Sequence, residues 1–254
     1  MHNSAQPGTP RPLRAHVHGA IALISIPVAA LAAAILPLAV LARPASAATA
    51  NAATVIKETK AAIAAQSSAH LEFDAGTSAS PSTEKIVADV ASTDGVETVT
   101  DGSAVLHVTV TPKDSYISGS ATGLTSLFGM TSAEATKVGT NWEFWKAGST
   151  QYKNLKAVVS VKSLQSLLPK SKGTTVSTQG SDYVLKWVSA ASGSTPKLNN
   201  MLTIAAKGKT LPVEETSTDS SGEKVTTTIS KWGEAVAVQA PPASSTVAAS
   251  SITG

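Results

Sequence analysis

Ala104-Val105-Leu106-His107-Val108-Thr109-Val110-Thr111 decides the fold class, because its residues alternate between two sides. Leu106, Val108 and Val110 share one face and Val105, His107 and Thr109 the other, which gives a strand with one side more apolar than its reverse. Outward from this stretch the same period of two returns at 69–75, 86–92, 95–100 and 115–119, with Asp94-Gly95 and Asp101-Gly102 as turns. It returns again at 174–178, 183–189, 200–206, 211–217 and 224–230, where Gly180-Ser181, Lys207-Gly208 and Ser221-Gly222 are natural hairpin tips.

Between and before these strands the period becomes helical. Val55, Thr59, Ala62, Ile63 and Gln66 fall on one face of a helix over 54–66. Leu124, Leu127, Phe128 and Met130 gather in the middle of the chain, followed by Thr131-Ser132-Ala133-Glu134, a capping box that opens a short helix. A third helix over 161–168 presents Val161, Leu164, Leu167 and Leu168 and stops at Pro169. Strands, a helical middle and strands again predict an α+β domain: a long antiparallel sheet whose concave face is covered by helices.

The N-terminus reads as an export signal. Arg11 and Arg14 precede the apolar run 20–41, and Ala45-Ser46-Ala47 offers the small residues that signal peptidase needs, with Ala45 and Ala47 as the recognition pair. The run is long enough to span a bilayer, so an uncleaved anchor is the alternative for residues 1–47. Residues 48–245 then form one domain, and 246–254, rich in Ala, Ser and Thr, read as a disordered tail.

Composition excludes several functions. The chain carries 20 Lys plus Arg against 17 Asp plus Glu, but Arg11, Arg14 and Arg43 all precede the cleavage site, which leaves a neutral domain without arginine. Such a domain is a poor partner for nucleic acid. No cysteine is present, so no disulfide braces the fold and no thiol can receive a lipid anchor. No Gly-x-Ser-x-Gly elbow occurs, Gly208-Lys209-Thr210 lacks the earlier glycine of a phosphate loop, and Glu214 and Glu215 point to opposite faces of any strand. His70 and His107 are the histidines of the domain, and His107 reads as a structural residue on the less apolar face. The expectation is therefore no catalytic residue, no metal and no cofactor. Lys153, Lys156, Lys162, Lys170 and Lys172 are locally dense and suited either to solvent or to anionic headgroups.

Ordered motifs give the chain a resemblance. Asp114-Ser115-Tyr116-Ile117-Ser118-Gly119, the apolar 124–129, Ala133-Glu134-Ala135-Thr136-Lys137 and Gly139-Thr140-Asn141-Trp142 follow one another, and 152–168 fits a helix pair. Leu211-Pro212-Val213, Ser230-Lys231-Trp232-Gly233-Glu234-Ala235-Val236 and Ala240-Pro241-Pro242 close the series. In this order they resemble the LppX/LprAFG group of exported lipoproteins, related in fold to LolA. The departure is the missing lipidation cysteine, which bears on tethering and leaves the fold untouched.

The resemblance implies a highly curved antiparallel half-barrel, helices across its mouth, and a hydrophobic cavity for acyl chains of lipids or glycolipids. By position the lining would come from Leu106, Val108, Val110, Tyr116, Leu124, Leu127, Phe128, Leu164, Leu168, Leu185 and Trp187. Trp142 and Trp232 are expected to pack strand ends. The implied protein is a monomeric carrier in the cell envelope that touches the outer face of the membrane transiently. The rival expectation is an interaction scaffold that keeps the half-barrel and fills its interior. N-terminal sequencing of exported material is expected to begin at Ala48; material that retains 20–41 makes that run an anchor instead.

Overall fold

The computed structural model of the chain describes residues 50–76, 81–191, 196–220 and 222–252. The expected signal segment lies outside them. Helix α1 (Ala52–Ala64) precedes strands β1 (Ser68–Gly76), β2 (Pro81–Ala91), β3 (Gly95–Asp101), β4 (Ala104–Val110) and β5 (Asp114–Gly119). A π-helical turn (Gly123–Leu127), α2 (Ser132–Val138), β6 (Trp142–Lys146), α3 (Thr150–Val158) and a 3-10 helix (Val161–Leu167) form the middle. Strands β7 (Thr175–Gln179), β8 (Asp182–Ser189), β9 (Leu198–Ala205), β10 (Pro212–Thr218) and β11 (Lys224–Ser230) follow, then β12 (Thr246–Ala248) and α4 (Ala249–Ile252).

All the strands join one 12-stranded sheet in the order β12-β6-β5-β4-β3-β2-β1-β11-β10-β9-β8-β7. Pairing is antiparallel except between β12 and β6, and the end strands β12 and β7 do not meet, so the sheet is open. Its first and last arms are both hairpin meanders, and β1 pairing with β11 joins them at the centre. The fold is thus the expected α+β half-barrel.

Alternation sorts the sheet into two faces. Val99 faces Leu106, Val108 faces Ile117, and Leu71 lies between Ala88 and Ile229, all within one buried cluster. In a flat sheet β5 and β11 would stand about 24 Å apart at the usual strand spacing. Curling brings their inner side chains under the same cover. That cover is made from Ile63 of α1, Leu124 and Phe128 around the π-helical turn, Ala135 and Val138 of α2, Leu155 of α3, and Val161 and Leu164 of the 3-10 helix. A second cluster, Val55 with Leu185, Leu202 and Ile204, seats the start of α1 on the other arm.

Local chemistry fixes the helix ends. Asn51 caps α1 through its side chain, which accepts from the Ala53 amide, and Thr131 with Glu134 closes both halves of the expected capping box on α2. Over 161–167 the expected helix forms as 3-10, started by Ser160 and ended one residue before Leu168. The expected disorder of 246–254 is corrected over 246–252. Thr246–Ala248 extends the sheet beside β6, Ile252 is buried in the main core, and Lys137 Nζ donates to the Ile252 carbonyl. Two apolar residues, Val247 and Ile252, suffice because a sheet edge supplies backbone partners to an otherwise polar segment.

Gly123 is where the cover meets the sheet most closely. A Cβ there would stand 2.0 Å from the carbonyl oxygen of Val105, a backbone atom that cannot swing aside. Gly123→Ala is expected to lift the π-helical turn, unseat Leu124, and lower unfolding free energy by about 1–3 kcal/mol. Urea denaturation followed by circular dichroism measures the shift.

Candidate functional site

The 3-10 helix and the end of α3 form a roof over β1, β2 and β3, and a partly enclosed cavity of about 120 Å³ lies beneath it. Its walls are Leu71 and Phe73 of β1, Ile86, Ala88 and Val90 of β2, Glu97 of β3, Thr227 of β11, and Val158, Ser163 and Leu164 above. Register explains the floor. Leu71 faces Ala88 and Phe73 faces Ile86, so both strands send the same alternate set inward. Small Ala88 sits at the centre of that set, and the missing volume of a larger side chain is part of the space.

The roof is held by the buried side chains of Val159, Val161, Leu164 and Leu167 and by a few backbone contacts. An isolated parallel bridge joins Ala91 to Ser160, and the Val159 backbone rests on Gly95, where a Cβ would come within 2.7 Å of the Val159 carbonyl oxygen. Ser160 caps the 3-10 helix, and Ser163 Oγ donates to the Ser160 carbonyl at 2.6 Å. Short 3-10 segments have poorer hydrogen-bond geometry than α-helices.

Two polar groups on the floor break its apolar character. Glu97 lies between Ala88 and Val108 across the neighbouring strands and has Gly95 and Val99 beside it on its own face. It has neither an ion-pair partner nor a hydrogen-bond partner among the described residues. Burial in this apolar setting pushes its carboxyl from 4.5 up to about 7. Thr227 is fully buried, and its hydroxyl has no hydrogen-bond partner. Opposite Thr227 on β10 stands Glu215, whose carboxyl burial pushes up while the Ser217 hydroxyl, donating at 2.9 Å, pulls it back.

The residues expected to line a cavity fall into three groups. Leu106, Val108, Val110, Leu124, Phe128 and Leu164 are all in the main core, with Leu127 and Leu168 packed against it, and of these Leu164 borders the cavity. Leu185 belongs to the second cluster, with Trp187 half-buried against it. Tyr116 is corrected to the opposite face: Ile117 takes the inward position on β5, so Tyr116 turns outward and packs on Phe144 with ring centroids 6.2 Å apart. The residues not anticipated, Leu71, Phe73, Ile86, Ala88, Val90 and Glu97, carried a usable signal. Their strands alternate, and the inward parity of β3 reads Gly95, Glu97, Val99, an acid among core positions.

The histidines lie on the other side of the sheet. His70 Nδ1 is 2.7 Å from Asp89 and its Nε2 3.3 Å from Glu72, while His107 Nδ1 is 3.1 Å from Thr98 Oγ1 and its ring leans on Trp142. Trp232 holds a strand end, its indole N–H donating to the Pro212 carbonyl at 2.9 Å. Among the described residues no group of three or more His, Asp or Glu is placed to hold a metal, and no helix is long and apolar enough to cross a membrane.

No family model and no curated protein matches the chain. Among solved structures it is similar to the lipoprotein LppX of Mycobacterium tuberculosis, at 15% identity over 74% of this chain and 98% of that one, with a TM-score of 0.43. It is similar to LprF of Mycobacterium bovis at 14% identity over 75% and 96%, TM-score 0.44. A LolA superfamily protein of Nitrosomonas europaea is similar at 7% identity over 76% and 96%, TM-score 0.30. Each is a likeness of fold. What the cavity takes follows from its own lining.

Glu97 gives stability a specific pH dependence. Its folded carboxyl titrates near 7 and its unfolded one near 4.5, so the folded state holds the proton longer. Stability is expected to be greatest below the unfolded value and to fall as pH rises through that window, by on the order of 3 kcal/mol. Urea unfolding at pH 5 and pH 8 checks this. Glu97→Gln should remove that part of the fall and leave the contribution of Glu215, which has the same sign.

Proposed function

We propose that this chain is an exported, non-enzymatic carrier that shelters an acyl segment of a lipid or glycolipid between its curved sheet and the helical roof. The observation that carries the reading is the cavity beneath Val158 and Leu164, floored by apolar side chains of β1 and β2. An acyl chain crossing an aqueous envelope gains about 0.8 kcal/mol for each methylene withdrawn from water, so a dry apolar space is a sufficient binding device. No covalent chemistry is needed. The polar side chains of the lining are Glu97, Ser163 and Thr227, and both described histidines sit across the sheet from it.

The size of the space sets how it works. At about 120 Å³ it is close to the ~150 Å³ that admits a benzene-sized guest, so as it stands it takes the end of one chain. Deeper entry requires the roof to move. The 3-10 helix and its Ser160 bridge form that gate, and headgroups stay at the rim. Residues 150–181 hold five lysines and no acid, and Lys153, Lys162, Lys170 and Lys172 are exposed, while Lys156 lies over the Tyr152 ring. This cationic border beside the gate fits transient contact with an anionic membrane surface by a monomer.

The rival is a scaffold with a filled interior, favoured by the tight packing of Leu106, Val110, Leu124 and Phe128. Native mass spectrometry of the exported chain from an envelope-containing host separates the two. The carrier gives an adduct of lipid mass, and Leu164→Trp or Ala88→Leu, each placing bulk in the cavity, reduces that adduct at least tenfold with the fold retained by circular dichroism. A wild-type spectrum without adduct, unchanged by added phospholipid or glycolipid, decides for the scaffold.

A further inference from the structure

Glu97 is out of place in a pocket for plain hydrocarbon. Every neighbour it has across the sheet is apolar, and the cavity is the space its carboxyl faces. A purely apolar guest would displace water from that carboxyl and give it nothing in return. Thr227, at the far side of the same floor, repeats the pattern with a fully buried hydroxyl that has no partner. A leucine and a valine would fill these positions without that cost.

We infer that the cavity is matched to an apolar chain bearing an uncharged hydroxyl, with the Glu97 carboxyl as the hydroxyl's hydrogen-bond partner and Thr227 as a second polar contact. Charge weighs against the other polar guests. An anionic group would meet the ionised Glu97 at close range, and a cationic one would have to be desolvated together with the carboxylate it pairs with. A hydroxyl costs less to bury, fits a space of about 120 Å³, and can donate to the carboxylate or pair with the neutral acid. Glu97 therefore serves on both sides of its titration. Thr227 and Glu97 are three strands apart, about 14 Å at the usual spacing, so the two groups address different atoms of the guest.

This inference rests on the carrier reading and deepens it. The test measures 1-octanol, octane and octylamine as competitors of a fluorescent fatty acid bound to the full chain, in wild type, Glu97→Gln, Glu97→Leu and Thr227→Val. The expected result is a selectivity for octanol over octane that falls about tenfold in Glu97→Leu, survives in Glu97→Gln, and falls by a smaller factor in Thr227→Val. Thr227→Val keeps its size and so reports even if a change at position 97 disturbs folding. Selectivity unchanged in both Glu97→Leu and Thr227→Val, or octylamine outcompeting octanol in wild type, overturns the inference and leaves the carrier intact. Failure of every competitor and of the fatty acid to bind overturns both.

Discussion

The inner face of the sheet must be hidden from water by pieces of the same chain. Without disulfides, and with few aromatic residues to fill space, the curved sheet is held by apolar contact between its alternate side chains and a cover assembled from short segments. No single helix is long enough to do this. Helix α1 reaches from the main core to the second cluster, the π-helical turn and α2 close one side, and α3 with the 3-10 helix closes the centre. The cover is consequently a patchwork, and its seams are where space arises. The cavity lies at one of them.

Alternation then governs the chemistry of the interior. In a strand that contributes one residue in two to the inner face, every side chain at that parity is committed to the interior, whatever its charge. Glu97 and Glu215 are both held there by register, and burial moves both carboxyls in the same direction. Thr227 stands beside Glu215 at the centre of the sheet, where β11 joins β10 to β1. Polar groups thus extend along the floor from β3 to β10. The outer face carries polar pairs such as His70 with Asp89 and Thr98 with His107, in positions where solvent can share their partners.

Much of this was legible in the sequence because period two is a strong signal. The period-two strands, the hairpin tips at Gly180 and Gly208, α1, and the Thr131 capping box lie where their residues put them. The cavity was less legible, for a reason of geometry. Choosing bulky residues such as Leu106, Leu124 and Phe128 selects the side chains that fill space, and those are the ones that pack against one another. A void forms where side chains are small or polar, as at Ala88, Ser163 and Thr227. The size of Tyr116 points to an inward place that its parity denies it, and Ile117 next to it holds that place. The order of 246–252 depends on an available edge at β6, which only the assembled sheet supplies.

Two costs meet at the same place in the fold. A void of about 120 Å³ in an apolar interior forgoes roughly 3 kcal/mol of packing at the usual rate per unit volume, and an ionised Glu97 adds a penalty of similar order at neutral pH. Together these are a large part of the stability that a domain typically has. Each would be relieved by the same event, entry of a guest that fills the void and offers the carboxyl a hydrogen bond. A scaffold with a filled interior gains nothing from either feature, since a leucine at 97 and a larger residue at 88 would strengthen it. Their coincidence beneath a roof of short segments is what a binding site requires, because strain that only a ligand can release becomes affinity for that ligand.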